Sequence, residues 1–434
     1  MANLIVALNG IQVGVLTQGA DGSLRFQYLP EWLQMDGARA ISLSLPLKKS
    51  PHIGSSVFNF FDNLLPDADA IRARMQVRFE APTRHPFDLL SRIGRDCIGA
   101  IQLYPEFMDI PDVRTITADP LDDHDIGRIL SRYQEDPLGM NRDTDFRISL
   151  AGAQEKTALL WHQNRWQRPV GSTPTSHIFK LPIGLLDQRN IDLRESNENE
   201  WLCLRILAAF GMPVANAELA RFDDNGVLVV ERFDRRWSRD GSWLMRLPQE
   251  DFCQALGISP ALKYENEGGP GIEAGMKLLL GSQQAHRDRN LFFKAQILFW
   301  LMAAIDGHAK NFSLFIKPHT AIEMTPLYDV LSAYPLMAQG SLPPERTKMA
   351  MSVKSKNRHY DWPRIEARHF ISTAQQVGFS AESAKAMIHD IAERTDIALA
   401  QVEAQLPPDF PAHISDPILT GIRRQATKLM DSQP

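Results

Sequence analysis

The sequence predicts a two-lobed α+β protein, with a β-rich N-terminal lobe that carries an extra α+β subdomain and an all-helical C-terminal lobe. Two observations predict it. Short apolar runs punctuated by turn signals recur from residue 4 to about residue 245, and from Gln249 onward the apolar spacing becomes helical. A chain of 434 residues also has room for two or three units, each with its own core. The expected divisions are residues 1–105 for the subdomain, 106–245 for the β-rich lobe and 246–434 for the helical lobe.

Residues 4–30 read as a β-meander because Asn9-Gly10 and Asp21-Gly22 are both hairpin turns. Residues 42–47 add an extended run, 57–65 have helical apolar spacing, and Asp67 is placed to cap a helix reaching Arg78. A short helix over 86–93 and a strand over 98–104 complete the first unit. Residues 105–122, rich in Pro and Asp, read as a linker, and 123–133 as a helix. Next, 146–150 and 158–161 read as strands on either side of a polar turn, Ala151-Gly-Ala-Gln-Glu-Lys-Thr157. Lys156-Thr157 mimics the end of a Walker A loop, but the glycine pair that loop requires is absent, so that reading is rejected.

Strand 177–183 carries a single lysine, Lys180, among apolar residues, where an ammonium needs an anionic partner or a route to water. Residues 197–210 form an amphipathic helix whose acidic start offers Glu198 or Glu200 as that partner. A hairpin about Asp224-Asn225-Gly226 leads into Glu231-Arg-Phe-Asp-Arg-Arg-Trp237. Helices are then expected over 272–281, 288–305 and 380–402, with the Gly-rich 264–271 read as a flexible connection or a substrate-side element. Lys348, Lys354, Lys356 and Arg358 fall in a Ser/Lys/Asn stretch read as a loop.

Composition narrows the function classes. Hydrophobic residues make up 44% and charged residues 23%, the values of an ordinary folded protein. No apolar run approaches the roughly 20 residues of a membrane helix, and the start lacks a basic region and cleavage site, so a cytoplasmic protein is expected. Cys97, Cys203 and Cys253 are far apart and in apolar settings, which excludes a disulfide framework and points to buried thiols. A net charge of -5 argues against nucleic acid coating the whole surface, although a local basic patch is compatible with it.

The chemistry concentrates in Ile305-Asp-Gly-His-Ala-Lys-Asn311 together with Tyr328-Asp329, eighteen residues beyond Asn311. An Asp, then an Asn five residues on, then a second Asp is the spacing of the protein-kinase catalytic and metal-binding loops. There the first Asp takes the hydroxyl proton, while the Asn and second Asp hold magnesium. The expected fold is therefore protein-kinase-like. A hairpin from 312 to 327 would fold Asp329 back beside Asn311. Lys180 suits the strand lysine that meets nucleotide phosphates, and Glu231 and Phe233 suit the hinge that faces adenine. Taken singly, Asp306-Gly307 and Asn311 are also ordinary turn residues. No His-Arg precedes Asp306 and Val330-Leu331 replaces Phe-Gly, so the loop is nearer that of lipid-type and atypical kinases.

Several long segments in order resemble the HipA toxins, Ser/Thr protein kinases of type II toxin–antitoxin modules. They are Phe58-Asn-Phe-Phe-Asp-Asn-Leu-Leu-Pro-Asp67, Ile148-Ser-Leu followed by the 151–157 turn, Lys180-Leu-Pro182, Val230 through Arg236, Leu247-Pro-Gln-Glu-Asp251, Gly268-Gly-Pro-Gly271 and the two catalytic segments. The resemblance implies ATP and magnesium as cofactors. Asp306 would be the base, and Asn311 and Asp329 the metal ligands. Ala151, Gly152, Ala153, Gln154, Glu155, Lys156, Lys180, Glu231, Phe233, His308, Asn311, Tyr328 and Asp329 would be the ATP-binding set. It further implies phosphorylation of an aminoacyl-tRNA synthetase, the glutamyl enzyme in the best-known case, with growth arrest and persistence. Ser149 would be a self-inactivating autophosphorylation site. The implied partner is a HipB-like helix-turn-helix antitoxin dimer that carries the toxin onto operator DNA as a corepressor, with Lys354, Lys356 and Arg358 as phosphate contacts.

Two other readings compete with the kinase. One is a corepressor whose kinase activity is lost or secondary. The other, a metal-dependent hydrolase using Asp306, His308 and Asp329, would leave Asn311, Lys180 and the nucleotide loop without a purpose.

Overall fold

The computed structural model describes residues 1–131, 154, 156–186 and 191–431. Its chain divides into two compact units, one of residues 1–181, 218–261 and 313–322, the other of residues 182–217, 262–312 and 323–434.

The first unit is built on two large antiparallel sheets, beside smaller pairings such as Arg235–Trp237 with Leu244–Arg246. One has five strands in the order His52–Ile53, Leu24–Tyr28, Ile11–Gln18, Ala2–Leu8 and Ile101–Pro105. Its first hairpin turns at Asn9 and Gly10, both at positive φ (47° and 79°), the geometry that matches the twist of the strands. Helices Ser55–Asp62 and Pro86–Ile93 cover one face and bury Phe60, Phe61, Leu89 and Leu90 against Phe26 and Leu103 in one core. The second sheet has six strands, ordered Ala217–Phe222, Asn225–Glu231, His177–Lys180, Lys156–His162, Arg165–Pro169 and Ala118–Pro120. Helix Asp123–Ser131 packs on it through Ile126 and Leu130, against Leu159, Phe179 and Val229.

Several expectations need correction. Residues 42–47 form a turn with a single Ser42–Leu45 bridge, since Pro46 cannot donate to a ladder. Asp67 is not a cap: helix Asp69–Arg78 starts after Ala68 with no side-chain cap. The stretch expected to be a linker supplies edge strand Ala118–Pro120, paired with Arg165–Pro169, and buries Val113. Edge strands tolerate such a proline. The strand expected over 146–150 lies outside the described residues. All three cysteines are buried and free, as expected.

The second unit is mainly helical, with Ser196–Ala209, Ile272–Leu278, Ala285–Leu301, Ala367–Gln376, Ala381–Glu403 and Ala412–Asp431. It also carries a β-hairpin, Lys348–Lys354 with Arg358–Asp361, where a basic loop was expected. Residues 349–353 are all buried, a short continuous run that the flanking lysines obscured. Trp300 and Trp362 lock the core by exchanging hydrogen bonds, each indole N–H donating to the other's carbonyl at 3.1 and 2.8 Å. Among the described residues no helix is long and apolar enough to cross a membrane.

A buried ion cluster ties the two sheets of the first unit together. Arg232 and Arg235 sit where the 225–231 strand ends, and Asp96 lies just before the 101–105 strand. Asp96 accepts from Arg232, Arg235 and Arg246 at 3.2, 2.8 and 3.0 Å, and from the Thr175 hydroxyl at 2.7 Å. Asp234 accepts from Arg232, Arg235 and the Gly99 N–H at 2.8, 2.9 and 2.7 Å. Burial by itself would raise both carboxyls, yet the guanidiniums outweigh it and hold Asp96 and Asp234 below the usual carboxylate range. Burial and the Arg232 charge lower Arg235 to about 10.

Asp96→Asn leaves three buried guanidiniums facing one carboxylate, and about 3–5 kcal/mol of stability should be lost in urea unfolding. Because the folded carboxyls titrate below their unfolded values, their contribution is present above about pH 4 and lost as pH falls below it. The acid limb of the stability profile should therefore be shallower in Asp96→Asn than in the wild type.

Glu250 behaves in the opposite sense. Burial pushes its carboxyl up to about 8, against opposing hydrogen bonds from Ser42 and the Leu43 N–H (2.9 Å), while neighbouring Asp251 adds to the rise. The folded state then keeps a proton that the unfolded state releases near pH 4.3, so stability falls as pH rises from about 4 to 8. Glu250→Gln should raise the melting temperature at pH 8 and remove that slope, with little change at pH 4.

Candidate active site

The site in the second unit begins where the buried helix Ala285–Leu301 stops. Ala303 has φ 50°, and the N–H groups of Ala304 and Ala303 donate back to Phe299 and Trp300 at 2.7 and 3.2 Å. This is a Schellman stop with alanine in the left-handed position that glycine usually takes, at a strain of about 1–2 kcal/mol. The helix thus ends four residues short of the expected 305, and Gly307 serves the loop beyond it. A Cβ there would lie 2.4 Å from the Phe299 ring, so glycine lets the Asp306 loop close onto the helix.

Beyond Asp306 the loop is held by its own backbone. The His308 N–H donates to Asp306 O at 2.8 Å and to Asn311 Oδ1 at 3.0 Å, and the Asn311 N–H returns to His308 O at 3.0 Å. One 3₁₀ turn, Ala309–Asn311, results. Asn311 is buried and its Nδ2 reaches Asp329 O and Oδ2 at 3.3 and 3.4 Å, so the expected approach of these two residues is present. Tyr328 donates its hydroxyl to Lys310 O at 2.8 Å. Asp329 has φ 59°, a conformation aspartate tolerates at a cost and one that clusters at functional sites.

The loop after Asp329 is anchored by Asn199 of helix Ser196–Ala209, whose amide donates to Ser332 O and accepts from the Ser332 N–H, both at 2.8 Å. Ser332 Oγ donates to Met302 O at 2.6 Å, and the Ala333 N–H to Ala303 O at 2.9 Å. The strained helix end and the Asp329 loop therefore support each other.

Asp306 itself is exposed, and Tyr264 donates its hydroxyl to Oδ1 at 2.5 Å. The ring of Tyr264 meets His308 edge-on at 5.0 Å. Tyr264 opens the Gly-rich stretch, which is packed rather than free. A Cβ on Gly271 would lie 2.2 Å from the Glu265 carboxyl, and Glu265 accepts from the Ser352 N–H at 2.6 Å and pairs with Arg358 at 3.4 Å. Lys354 pairs with Glu273 at 3.2 Å, leaving Lys356 exposed in the hairpin turn.

As donors for a cation, Asn311 and Asp329 offer one amide oxygen and one carboxylate. Asn311 Oδ1 already takes the His308 N–H but keeps a second lone pair. Among the described residues no group of three His, Cys, Asp or Glu could hold a metal. A sparse all-oxygen set suits magnesium carried in with phosphates better than a resident metal.

The remaining expected residues belong to the first unit. Lys180 is buried and lies opposite Lys156 on the adjacent antiparallel strand. Gln154 donates to Leu181 O at 2.5 Å. Glu231 is exposed and Phe233 half-buried, its ring edge-on to Phe315 at 5.9 Å, while Arg232 and Asp234 point into the ion cluster. Ser149, Ala151, Gly152, Ala153 and Glu155 lie outside the described residues.

The HipA-like C-terminal domain family matches residues 148–399, and the HipA N-terminal domain family matches residues 4–104. The chain belongs to the HipA family of kinase toxins. Among HipA relatives, a putative kinase of Sinorhizobium fredii is 33% identical over 91% of this chain and 90% of its own length. The Shewanella oneidensis Ser/Thr-protein kinase toxin HipA is 27% identical over 96% of this chain and 94% of its own. The structure of a Shewanella oneidensis HipA, solved with HipB and operator DNA, has a TM-score of 0.81 at 21% identity, covering 99% of this chain and 100% of that one, so the kinase-like α/β fold is shared.

Tyr264 and Asn199 were missed from sequence. An aromatic residue opening a Gly-rich stretch was an available signal for the first; nothing marked the second. Asn199→Ala removes both hydrogen bonds from the Ser332 peptide and should cost about 2–3 kcal/mol. Amide exchange over residues 329–333 should accelerate more than exchange in the 285–301 helix.

Proposed function

We propose that this chain is an ATP-dependent Ser/Thr protein kinase acting as the toxin of a type II toxin–antitoxin module. The observation that supports it most is the convergence of Asp306, Asn311 and Asp329 in one loop system, with an exposed carboxylate and a half-buried amide–carboxylate pair. Asp306 accepts the proton as the acceptor oxygen bonds to the γ-phosphorus. The bond from that phosphorus to the β–γ bridging oxygen breaks, and ADP leaves. Magnesium on Asn311 and Asp329 would neutralise phosphate charge. Lys156, Lys180 and Gln154 of the first unit would hold the nucleotide phosphates and Glu231 and Phe233 the adenine, while His308 and Tyr328 are the second unit's candidates for contact with ATP.

In this reading the target is an aminoacyl-tRNA synthetase, the glutamyl enzyme first, and modification of Ser149 silences the kinase. The partners are a helix-turn-helix antitoxin dimer and, through it, operator DNA, by analogy with the Shewanella HipA, which was solved in complex with HipB and its operator. The cell compartment is the cytoplasm. Lys356 is the best placed of the three DNA candidates, since a phosphate reaching Lys354 or Arg358 has to displace Glu273 or Glu265.

Phosphatase-treated protein incubated with magnesium and γ-labelled ATP should label itself on Ser149 and label glutamyl-tRNA synthetase. Asp306→Ala should lower both by at least about 1000-fold while still binding nucleotide. Nucleotide binding without any label in the wild type would overturn the kinase and leave the corepressor reading.

A further inference from the structure

A cavity of about 460 Å³ opens beside Asp306 within the second unit, a volume in the range of small-ligand sites. Ile183, Leu193, Leu331, Leu336 and Met349 make its walls apolar, and Asp306 and Tyr264 stand at one side. Phosphoryl transfer by Asp306 does not itself require this apolar surface. The walls are fixed before anything binds. Ser196 Oγ holds the Ile183 N–H at 2.9 Å, and Asn199 holds Ser332, which also lines the cavity.

Tyr264 shows what reaches the base from this side, because a hydroxyl donates to Asp306 Oδ1 at 2.5 Å. A substrate hydroxyl taking over that hydrogen bond brings its neighbouring residues to the cavity. Lys348 and Glu267 lie at the rim with opposite charges, so neither sign of flanking charge is selected and the apolar walls do the selecting.

We infer that this cavity is the acceptor-side specificity pocket, and that the substrate is a protein segment whose phosphorylated Ser or Thr has a large apolar side chain at a flanking position. The inference rests on the kinase reading. Displacement of the Tyr264 hydroxyl by the acceptor is part of it.

The test uses phosphatase-treated full-length protein, a degenerate Ser/Thr peptide library and an intact lysate, with phosphosites mapped by mass spectrometry. Wild type should favour sites flanked by Leu, Ile, Met or Phe over Ala by about tenfold or more, the discrimination one apolar pocket gives. Ile183→Asp, at a position 36% exposed and so tolerant of substitution, should abolish that preference while phosphorylation of Ala-flanked sites changes less than about twofold. Leu336→Trp, which fills the cavity, should do the same and serves as the check if Ile183→Asp misfolds. Equal use of apolar- and Ala-flanked sites by wild type, or equal loss on all sites in both variants, overturns the pocket and leaves the kinase standing. No phosphosite in library or lysate, with nucleotide still bound, removes both.

Discussion

The first unit depends on a constraint that has nothing to do with phosphate chemistry: three guanidiniums and two carboxylates buried together must all stay ionised and paired. Desolvating each of these charges alone would cost several kcal/mol, so the cluster stands only if Asp96, Arg232, Asp234, Arg235 and Arg246 arrive together. That requirement joins the N-terminal subdomain, which supplies Asp96, to the approach of the 177–180 strand, which supplies Thr175, and to the strand pair 235–237 and 244–246, which supplies Arg235 and Arg246. The turn that follows the 225–231 strand divides one short stretch in two. Arg232, Asp234 and Arg235 face the cluster, while Glu231 is exposed and Phe233 half-buried. The turn that satisfies the charges thus also sets the two residues proposed for adenine.

The catalytic loop in the second unit is held by a different economy, in which local strain is balanced by neighbouring hydrogen bonds. Ala303 and Asp329 both take left-handed backbone conformations. Each is tied to the Ser332–Ala333 peptides, Ala303 directly through its carbonyl and Asp329 through the short chain leading to the residue that Asn199 grips. Neither strain would survive in an isolated peptide, so the geometry belongs to the packed helices. This places the support well away from the residues that act, on Asn199 and Met302.

The candidate site was legible where chemistry forces residue type and spacing together. Asp306, Asn311 and Asp329 were singled out because a proton acceptor and two cation ligands would need such side chains at such separations, and of that expectation the structure shows the approach of Asn311 to Asp329. The long helices were legible from apolar period, and Ser380 does cap the helix it precedes, accepting from the Ser383 N–H at 3.2 Å. What failed depended on long-range pairing. Ala118–Pro120 looks like a linker until strand Arg165–Pro169 takes it up, and the buried run within Lys348–Lys354 was masked by its terminal lysines, of which Lys354 finds Glu273 only in the fold. The ion cluster was invisible because its partners are more than 130 residues apart, and charged residues in sequence read as surface.

Burial separates the roles inside the loop. Asn311 is 4% exposed and fixed by hydrogen bonds on both sides of its amide, as suits a group that must present one oxygen at one position. Asp306, five residues earlier, faces outward with the Tyr264 hydroxyl on its carboxylate. On the proposed reading, a base is held less tightly than a ligand, because it exchanges one hydrogen-bond donor for another in each turnover. Tyr264 is compatible with that proposal: it orients the Asp306 carboxylate as a neutral donor, and another hydroxyl could replace it at little net cost, since one hydrogen bond is exchanged for another. Gly271 and Glu265 keep Tyr264 within reach by closing the Gly-rich stretch on itself, so the glycines that suggested flexibility are what bring the tyrosine to the base.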